Sequence, residues 1–226
     1  MFALAQVREM VTHRWRDLLR LGWLLALPVL LVASPAWSFQ GAADFQGEPH
    51  SRDAGQVADW VVGSGDNRGL PCMIIDKVNA KVFLFAKHGA MHAASRALLG
   101  LAVGDDSVPG IGDRKMSSIR PEERTTPAGR FVASLGHNSK DSDILWVDYE
   151  NAISLHRVVT SNPNDRRLQR LATTSTLDKR ISYGCINVPV DFYENFVIPA
   201  FRGTKGIVYI LPEKRKMREF FDVLAN

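Results

Sequence analysis

After residue 70, the chain alternates between short runs of apolar, β-branched or aromatic residues and short polar turns. Residues 72–76 and 81–85 are two such runs, and the Asn-containing turn between them predicts a β-hairpin. Residues 144–149 and 152–156 predict a second hairpin, which turns at residues 150–151. Further strands are predicted at residues 97–103, 129–134 and 207–211. Because several short strands follow one another with turns between them, the pattern predicts one mainly β domain, built as a sandwich or a barrel-like sheet.

Helices are predicted at few places. An apolar stripe at Phe192, Tyr193 and Phe196 predicts a helix over residues 190–198 that Pro199 ends. Pro212 begins a second apolar stripe, which predicts a helix over 212–224. Two shorter helices are predicted at residues 54–62 and 165–172. The first of these lies in the polar segment 39–70, which is interpreted as an N-terminal tether to a single domain over residues 71–226.

The first 38 residues have the pattern of a secretory signal peptide. Four arginines precede an apolar run over residues 21–33, and small residues follow it. Cleavage after Ala36 and cleavage after Ser38 both suit a signal peptidase. The alternative is an uncleaved anchor, but the run is shorter than the ~18–20 apolar residues of a spanning helix, and Pro28 interrupts it. The sequence therefore predicts export to the periplasm or cell wall, with no membrane span after cleavage.

The composition narrows the class of protein. Of the 226 residues, 46% are hydrophobic and 23% are charged, which is usual for a globular chain and excludes a wholly disordered one. The formal net charge of +4 is too small to favour a nucleic-acid partner. Two cysteines, Cys72 and Cys185, cannot form a disulfide framework or a four-cysteine zinc site. His88 and His92 have the spacing of a metal pair, but Gly89 lies between them and no third ligand is evident, so no metal site is predicted.

Cys185 is the candidate nucleophile. It follows Gly184 and precedes the predicted helix over 190–198, and a helix N-terminus would lower the pKa of the thiol. Gly184 allows a tight turn in which neighbouring backbone N–H groups form an oxyanion hole. His156, at the end of a predicted strand, is the natural base. The alternative is a buried, inert cysteine, which is common among free thiols.

Several stretches of the chain resemble the L,D-transpeptidases, which are bacterial enzymes that cross-link the cell wall. Residues 182–187, with the sequence SYGCIN, and residues 154–156 upstream resemble the catalytic signature of that family. Residues 74–85 are similar to its opening hairpin, and residues 126–131 resemble its Thr-Pro-x-Gly-x-Phe segment. The resemblance covers residues 71–211 and implies a compact, β-rich catalytic domain.

The resemblance implies a role for each residue of the motif. Cys185 would be the nucleophile and His156 its base, with the backbone carbonyl of Arg157 orienting the imidazole. The backbone N–H groups of Gly184 and Cys185, with that of Tyr183, would hold the oxyanion. The implied substrate is a tetrapeptide stem of peptidoglycan, which would form a thioester, release its terminal D-alanine and pass its acyl group to an amine. No metal or cofactor is implied, and carbapenem-type inhibitors are expected to acylate the cysteine.

Other residues are expected to contact the substrate. The expected contacts are Ser182, Tyr183 and Asn187 in the motif and Arg120 and Arg124 in a charged loop. The arginines would bind substrate carboxylates through paired hydrogen bonds, and a solvated loop is the alternative. Tyr183 stands where the family often has histidine, and the stretch from His156 to Cys185 is longer than usual.

Two other functions stay open on the sequence. A hydrolase of the L,D-carboxypeptidase type would use the same site and pass the acyl group to water. A non-catalytic wall-binding protein would keep the fold without the chemistry. The presence of both Cys185 and His156 favours the enzyme, because a binding protein has no need of a thiolate–imidazole pair.

Overall fold

The computed structural model describes residues 41–86 and 89–222, so the predicted signal peptide and His88 lie outside the described residues. None of the helices in this part of the chain is long and apolar enough to span a membrane. Its strands are β1 (Cys72–Asp76), β2 (Lys81–Phe85), β3 (Met91–Arg96), β4 (Leu99–Gly100), β5 (Gly129–His137), β6 (Asp143–Asp148), β7 (Ile153–Arg157), β8 (Arg180–Ser182), β9 (Ile186–Val188) and β10 (Lys205–Ile210). Its α-helices are α1 (Arg52–Ser64), α2 (Arg167–Ala172), α3 (Val190–Phe192) and α4 (Ile198–Phe201).

Eight of these strands form one mixed sheet in the order β3-β2-β1-β10-β5-β6-β7-β9. β1 pairs in parallel with β10, and β7 pairs in parallel with β9. The other neighbours in this sheet are antiparallel. Asn187 in β9 exchanges two backbone hydrogen bonds with Leu98, which closely follows β3. The two ends of the sheet therefore approach each other, and the prediction of a mainly β, barrel-like fold is confirmed.

Alternating side chains along the strands separate two apolar cores. Met73 and Ile75 of β1 pack into one core, to which α3 and α4 also contribute. Cys72 and Ile74 point to the opposite face and pack into a second core, which includes the buried face of α1. The sheet is thus apolar on both faces at β1, which explains the uninterrupted apolar run in the sequence.

The segment that is interpreted as a tether carries α1 where a short helix is predicted. Ser51 caps this helix by accepting the Ala54 N–H at 3.1 Å, and Gly65 ends it with a φ of 67°. Val57 and Val61 of α1 are buried in the second core. The described part of the segment is therefore packed on the sheet, whereas the position of the domain boundary stays a prediction.

The predicted strand over residues 97–103 is wrong for most of its length. β3 lies earlier in the chain, and only β4 falls within the predicted range. No residue of β3 is β-branched, and its strand conformation comes from pairing with β2 rather than from its own side chains.

The predicted helix over residues 212–224 is also wrong within the described residues, which end at 222. A single 3₁₀ turn forms there, at Met217–Glu219. Ahead of it, the carboxylate of Asp105 accepts the backbone N–H groups of residues 213, 214 and 215 at 2.7–2.9 Å. These bonds wrap the chain around a carboxylate from a distant loop, and that contact outweighs the local helical pattern.

Pro199 does not end the helical segment that begins at Val190. A π-helical stretch, Tyr193–Val197, joins α3 to α4, and Pro199 lies in the first turn of α4. Proline is tolerated at that position because the first N–H groups of a helix need no partner within the helix.

Candidate active site

Two parallel strands bring the candidate base and the candidate nucleophile together. β7 carries Ser154 and His156 on the same face, because alternate residues of a strand point the same way. β9 pairs with β7 so that His156 lies opposite Asn187. Cys185 directly precedes β9, and His156 lies close enough for each of the two groups to shift the pKa of the other.

The imidazole of His156 is held in one orientation. Its Nδ1 lies 2.7 Å from the backbone carbonyl oxygen of Arg157, so Nδ1 carries a proton and donates it. The other ring nitrogen, Nε2, is then available to Cys185. The contact with the Arg157 carbonyl is the one that the sequence predicts, and its role in catalysis stays a prediction.

The pair favours the charged form of both groups. Burial by itself would raise the pKa of the Cys185 thiol, but the hydrogen bond and charge of His156 lower that pKa overall. Burial would lower the pKa of His156, but Cys185 raises it overall. A lowered thiol pKa and a raised imidazole pKa together favour a thiolate–imidazolium pair. The two groups titrate as a unit.

The sequence prediction that a helix N-terminus activates Cys185 is wrong. β9 follows the cysteine directly, and α3 begins only at Val190. The side chains of His156 and Ser154, rather than a helix N-terminus, favour the thiolate. The Ser154 hydroxyl donates to Sγ at 3.5 Å, and Sγ lies 3.6 Å from the carbonyl oxygen of Ala152. The serine contact stabilises the thiolate, because a hydrogen bond to the charged form lowers a pKa.

Gly184 lets the loop turn next to the cysteine. Its φ is +128°, and a Cβ there would lie 2.6 Å from the carbonyl oxygen of Thr125. The Gly184 carbonyl accepts from the Thr126 hydroxyl at 2.7 Å, and its N–H donates to Ser182 Oγ at 3.1 Å. The predicted oxyanion role of the Gly184 N–H would therefore require that its bond to Ser182 break.

Ser182 and Asn187, which are expected to contact the substrate, are only 3% and 1% exposed. The Ser182 hydroxyl donates to the backbone carbonyl of Cys185 at 2.6 Å. Asn187 Nδ2 donates to the same carbonyl at 3.3 Å, and its Oδ1 accepts from Arg167 at 2.8 Å. Both side chains thus hold the backbone of the nucleophile in place. Direct substrate contact by either one stays a prediction.

Arg167 contacts the site, although the sequence names it only as one of a set of basic residues in the stretch before Cys185. It begins α2, in the long stretch between His156 and Cys185, and it also donates to Asp165 at 2.9 Å. Its charge lies close enough to His156 to oppose the rise in that pKa. The signal in the sequence is the extra length of the stretch, but nothing in the spacing selects Arg167 from the other basic residues there.

Tyr183 and Arg124 contact each other beside the cysteine loop. The guanidinium carbon of Arg124 lies 3.9 Å from the centroid of the Tyr183 ring. Arg120 is instead 68% exposed and bonds within its own loop, to Glu122 and Glu123. Arg124 therefore contacts the cysteine motif, whereas Arg120 lies in a solvated loop, which is the alternative given for it above.

The part of the chain that the structure describes contains no cluster of three or more His, Cys, Asp or Glu side chains able to hold a metal ion. His92, one of the two histidines with metal-pair spacing, packs edge-on against the ring of Phe196 at 5.5 Å between centroids. That contact gives His92 a packing role.

No protein-family model matches the sequence, and no curated protein matches it as a relative. Solved structures of L,D-transpeptidases match the fold. An L,D-transpeptidase from Xylanimonas cellulosilytica is 15% identical with a TM-score of 0.36, over 62% of this chain and 60% of that one. The catalytic domain of the L,D-transpeptidase from E. faecium is 15% identical with a TM-score of 0.35, over 62% of this chain and 96% of that domain.

Pgp2 from Campylobacter jejuni, described as a helical cell shape determining protein, is also similar in fold. It is 16% identical with a TM-score of 0.42, over 65% of this chain and 49% of that one. The chain thus spans about half the length of Pgp2 and 60% of the Xylanimonas chain.

Proposed function

We propose that the protein is a cysteine acyltransferase that acts on tetrapeptide stems of peptidoglycan. The observation that carries the proposal is the pairing of Cys185 with a His156 imidazole whose Nδ1 is fixed on the Arg157 carbonyl at 2.7 Å. A thiolate held beside an oriented imidazole is the arrangement that nucleophilic acyl transfer requires. The stem substrate is taken from the resemblance of residues 154–156 and 182–187 to the L,D-transpeptidase signature.

In the first half of the proposed reaction, the Cys185 thiolate attacks the carbonyl of the third residue of the stem. The N–H groups of Cys185 and Tyr183 are the proposed oxyanion donors, because that of Gly184 is bonded to Ser182. The carbon–nitrogen bond to D-alanine then breaks, and the His156 imidazolium gives its proton to the leaving nitrogen. A thioester and a neutral imidazole remain.

In the second half, an amine attacks the thioester carbonyl. Neutral His156 takes one proton from the attacking nitrogen, the carbon–sulfur bond breaks, and the thiolate–imidazolium pair returns. An acceptor that enters as an ammonium gives its other proton to water. If water attacks in place of the amine, the same steps make the protein a hydrolase, so access of the acceptor decides between the two reactions.

Incubation with purified muropeptides separates these functions. We expect mass analysis to show loss of D-alanine together with dimer formation. Loss of D-alanine without dimer would make the protein an L,D-carboxypeptidase. Binding of muropeptides with neither product would make it a wall-binding protein and would overturn the proposed acyl transfer.

We also propose that the protein is exported, since its substrate lies outside the cytoplasm. The basic start and the apolar run over residues 21–33 support this. N-terminal sequencing of the protein from a periplasmic or wall fraction should find Trp37 or Phe39 as the first residue. Recovery of the chain from the cytoplasm with Met1 intact would contradict export.

A further inference from the structure

A groove with aromatic walls lies near the nucleophile, although Cys185 and His156 are not among its lining residues. It has a volume of about 730 Å³, which is enough for a small ligand. Ala152 is one of its lining residues, and the carbonyl of this same residue contacts Cys185 Sγ at 3.6 Å. Ala152 therefore connects the groove to the sulfur that carries the thioester, and an occupant would lie one residue away from that sulfur.

Two aromatic side chains line the groove. Trp146 and Tyr149 meet edge to face, with ring centroids 5.0 Å apart. Tyr149 is 76% exposed, although it belongs to the turn that leads into the catalytic strand β7. The exposed ring of Tyr149 is therefore available for a ligand to stack on.

The negative charge of the groove favours a positively charged ligand. The carboxylates of Asp113 and Glu150 also line it, and neither forms an ion pair with a basic side chain among residues 41–86 and 89–222. The two carboxylates come from turns that lie against each other, since a Cβ on Gly112 would be 2.1 Å from the Glu150 carbonyl oxygen. Aromatic faces together with unpaired carboxylates attract an ammonium group.

We propose that this groove binds the acyl acceptor through the ammonium group of its side chain. The proposal rests on the proposed function, and it names the residues that would favour transfer over hydrolysis. Trp146 and Tyr149 would contact the aliphatic stem and the cation, while Asp113 and Glu150 would neutralise its charge. The acceptor nitrogen then loses one proton to water and attacks the thioester as a neutral amine.

Two measurements test the proposal. The first is binding: titration of the protein with Nα-acetyl-lysine should change its tryptophan fluorescence, whereas Nα-acetyl-norleucine, which lacks the amine, should bind about tenfold more weakly. The second is partition of the thioester between dimer and hydrolysed stem as the acceptor concentration rises. The acceptor concentration for half-maximal transfer should rise about tenfold in the double variant Tyr149→Ala/Glu150→Gln.

Matched variants serve as controls. Tyr149→Phe keeps the aromatic face and should stay within about twofold of the original chain. Asp53→Asn removes an exposed carboxylate on α1 and should change neither measurement. Equal binding of the two amino acids, or an unchanged partition in the double variant, would overturn the groove as the acceptor site. Failure of the thioester to form in the original chain would instead overturn the proposed function, and amine binding would still be measured separately.

Discussion

Replacing Cys185 with serine is expected to reduce D-alanine release from muropeptides by at least ~10³-fold, the scale on which removal of a catalytic nucleophile acts. His156 holds a thiol whose pKa it lowers, but a hydroxyl has a far higher pKa and stays protonated beside the same imidazole. The same variant should lose covalent modification by a carbapenem. Intact-mass measurement of the original chain should show one adduct, and that of Cys185→Ser should show none.

Cys72 provides the matched control, because it is the other cysteine of the chain. It is buried in β1, and burial raises the pKa of its thiol to about 12. Cys72→Ala should therefore keep both D-alanine release and the adduct. Near-normal turnover in Cys185→Ser, or an adduct on Cys72, would show that Cys185 is not the nucleophile.

Replacing Asp105 with asparagine is expected to destabilise the fold by about 3–5 kcal/mol, as breaking a buried ion pair does. The Lys77 ammonium and the Asp105 carboxylate are both fully buried and lie 2.8 Å apart. The carboxylate also accepts three backbone N–H groups from residues 213–215. An asparagine amide would place N–H donors against those N–H groups and would leave Lys77 with only the more distant carboxylate of Glu213, at 3.7 Å. Urea unfolding measures the loss.

The neighbouring Asp106 is the matched control for this variant. Its side chain is 71% exposed and pairs with Arg215 on the surface, so Asp106→Asn should cost at most about 1 kcal/mol. Equal losses in the two variants would contradict the account of the buried network. The network also reaches the active site, because Lys77 donates to the carbonyl of Thr126 and the Thr126 hydroxyl donates to Gly184.

The same network predicts how stability depends on pH. Burial would raise the pKa of Asp105, but Lys77 and the backbone N–H groups lower it to about 2. Since the unfolded chain has the higher value, ~3.9, the unfolded state binds more protons between the two. The contribution of Asp105 is therefore fully present above about pH 4 and is lost as the pH falls towards 2.

The strands that the sequence predicts well are those whose own residues determine them. β1, β2, β6 and β7 are β-branched or aromatic runs beside polar turns, and their hairpins form where predicted. β3 lacks such residues, and its pairing with β2 creates it. The chain after residue 211 has a helical stripe, but a carboxylate more than 100 residues away holds its backbone. Contacts between residues distant in the sequence leave no local signal.

The residues of the candidate site also differ in how well the sequence predicts them. A short motif and its resemblance identify Cys185 and His156, and in the structure each of them shifts the pKa of the other. The strand after Cys185 is missed because Ile186–Val188 becomes a strand by pairing with β7, about 30 residues earlier in the chain. Arg167 cannot be selected from the other basic residues of its stretch, because its contact with Asn187 depends on how the stretch between them folds. Residue type and local pattern thus identify the reacting groups. The residues that hold those groups in place can be identified only from the folded structure.

The pH dependence of Cys185 alkylation tests the central claim, that His156 maintains a thiolate at this position. The measurement compares the Cys72→Ala chain with Cys72→Ala/His156→Ala, so that a single thiol reacts with iodoacetamide. At neutral pH the thiol of the double variant should react at least about tenfold more slowly, because burial raises a thiol pKa once the histidine is gone, and its rate should recover only as the pH rises past the ordinary thiol value of ~8.5. The Cys72→Ala chain should reach its half-maximal rate at a lower pH than the double variant, because His156 lowers the pKa of its thiol. Equal rates and equal pH profiles in the two chains would contradict the claim and place the base elsewhere.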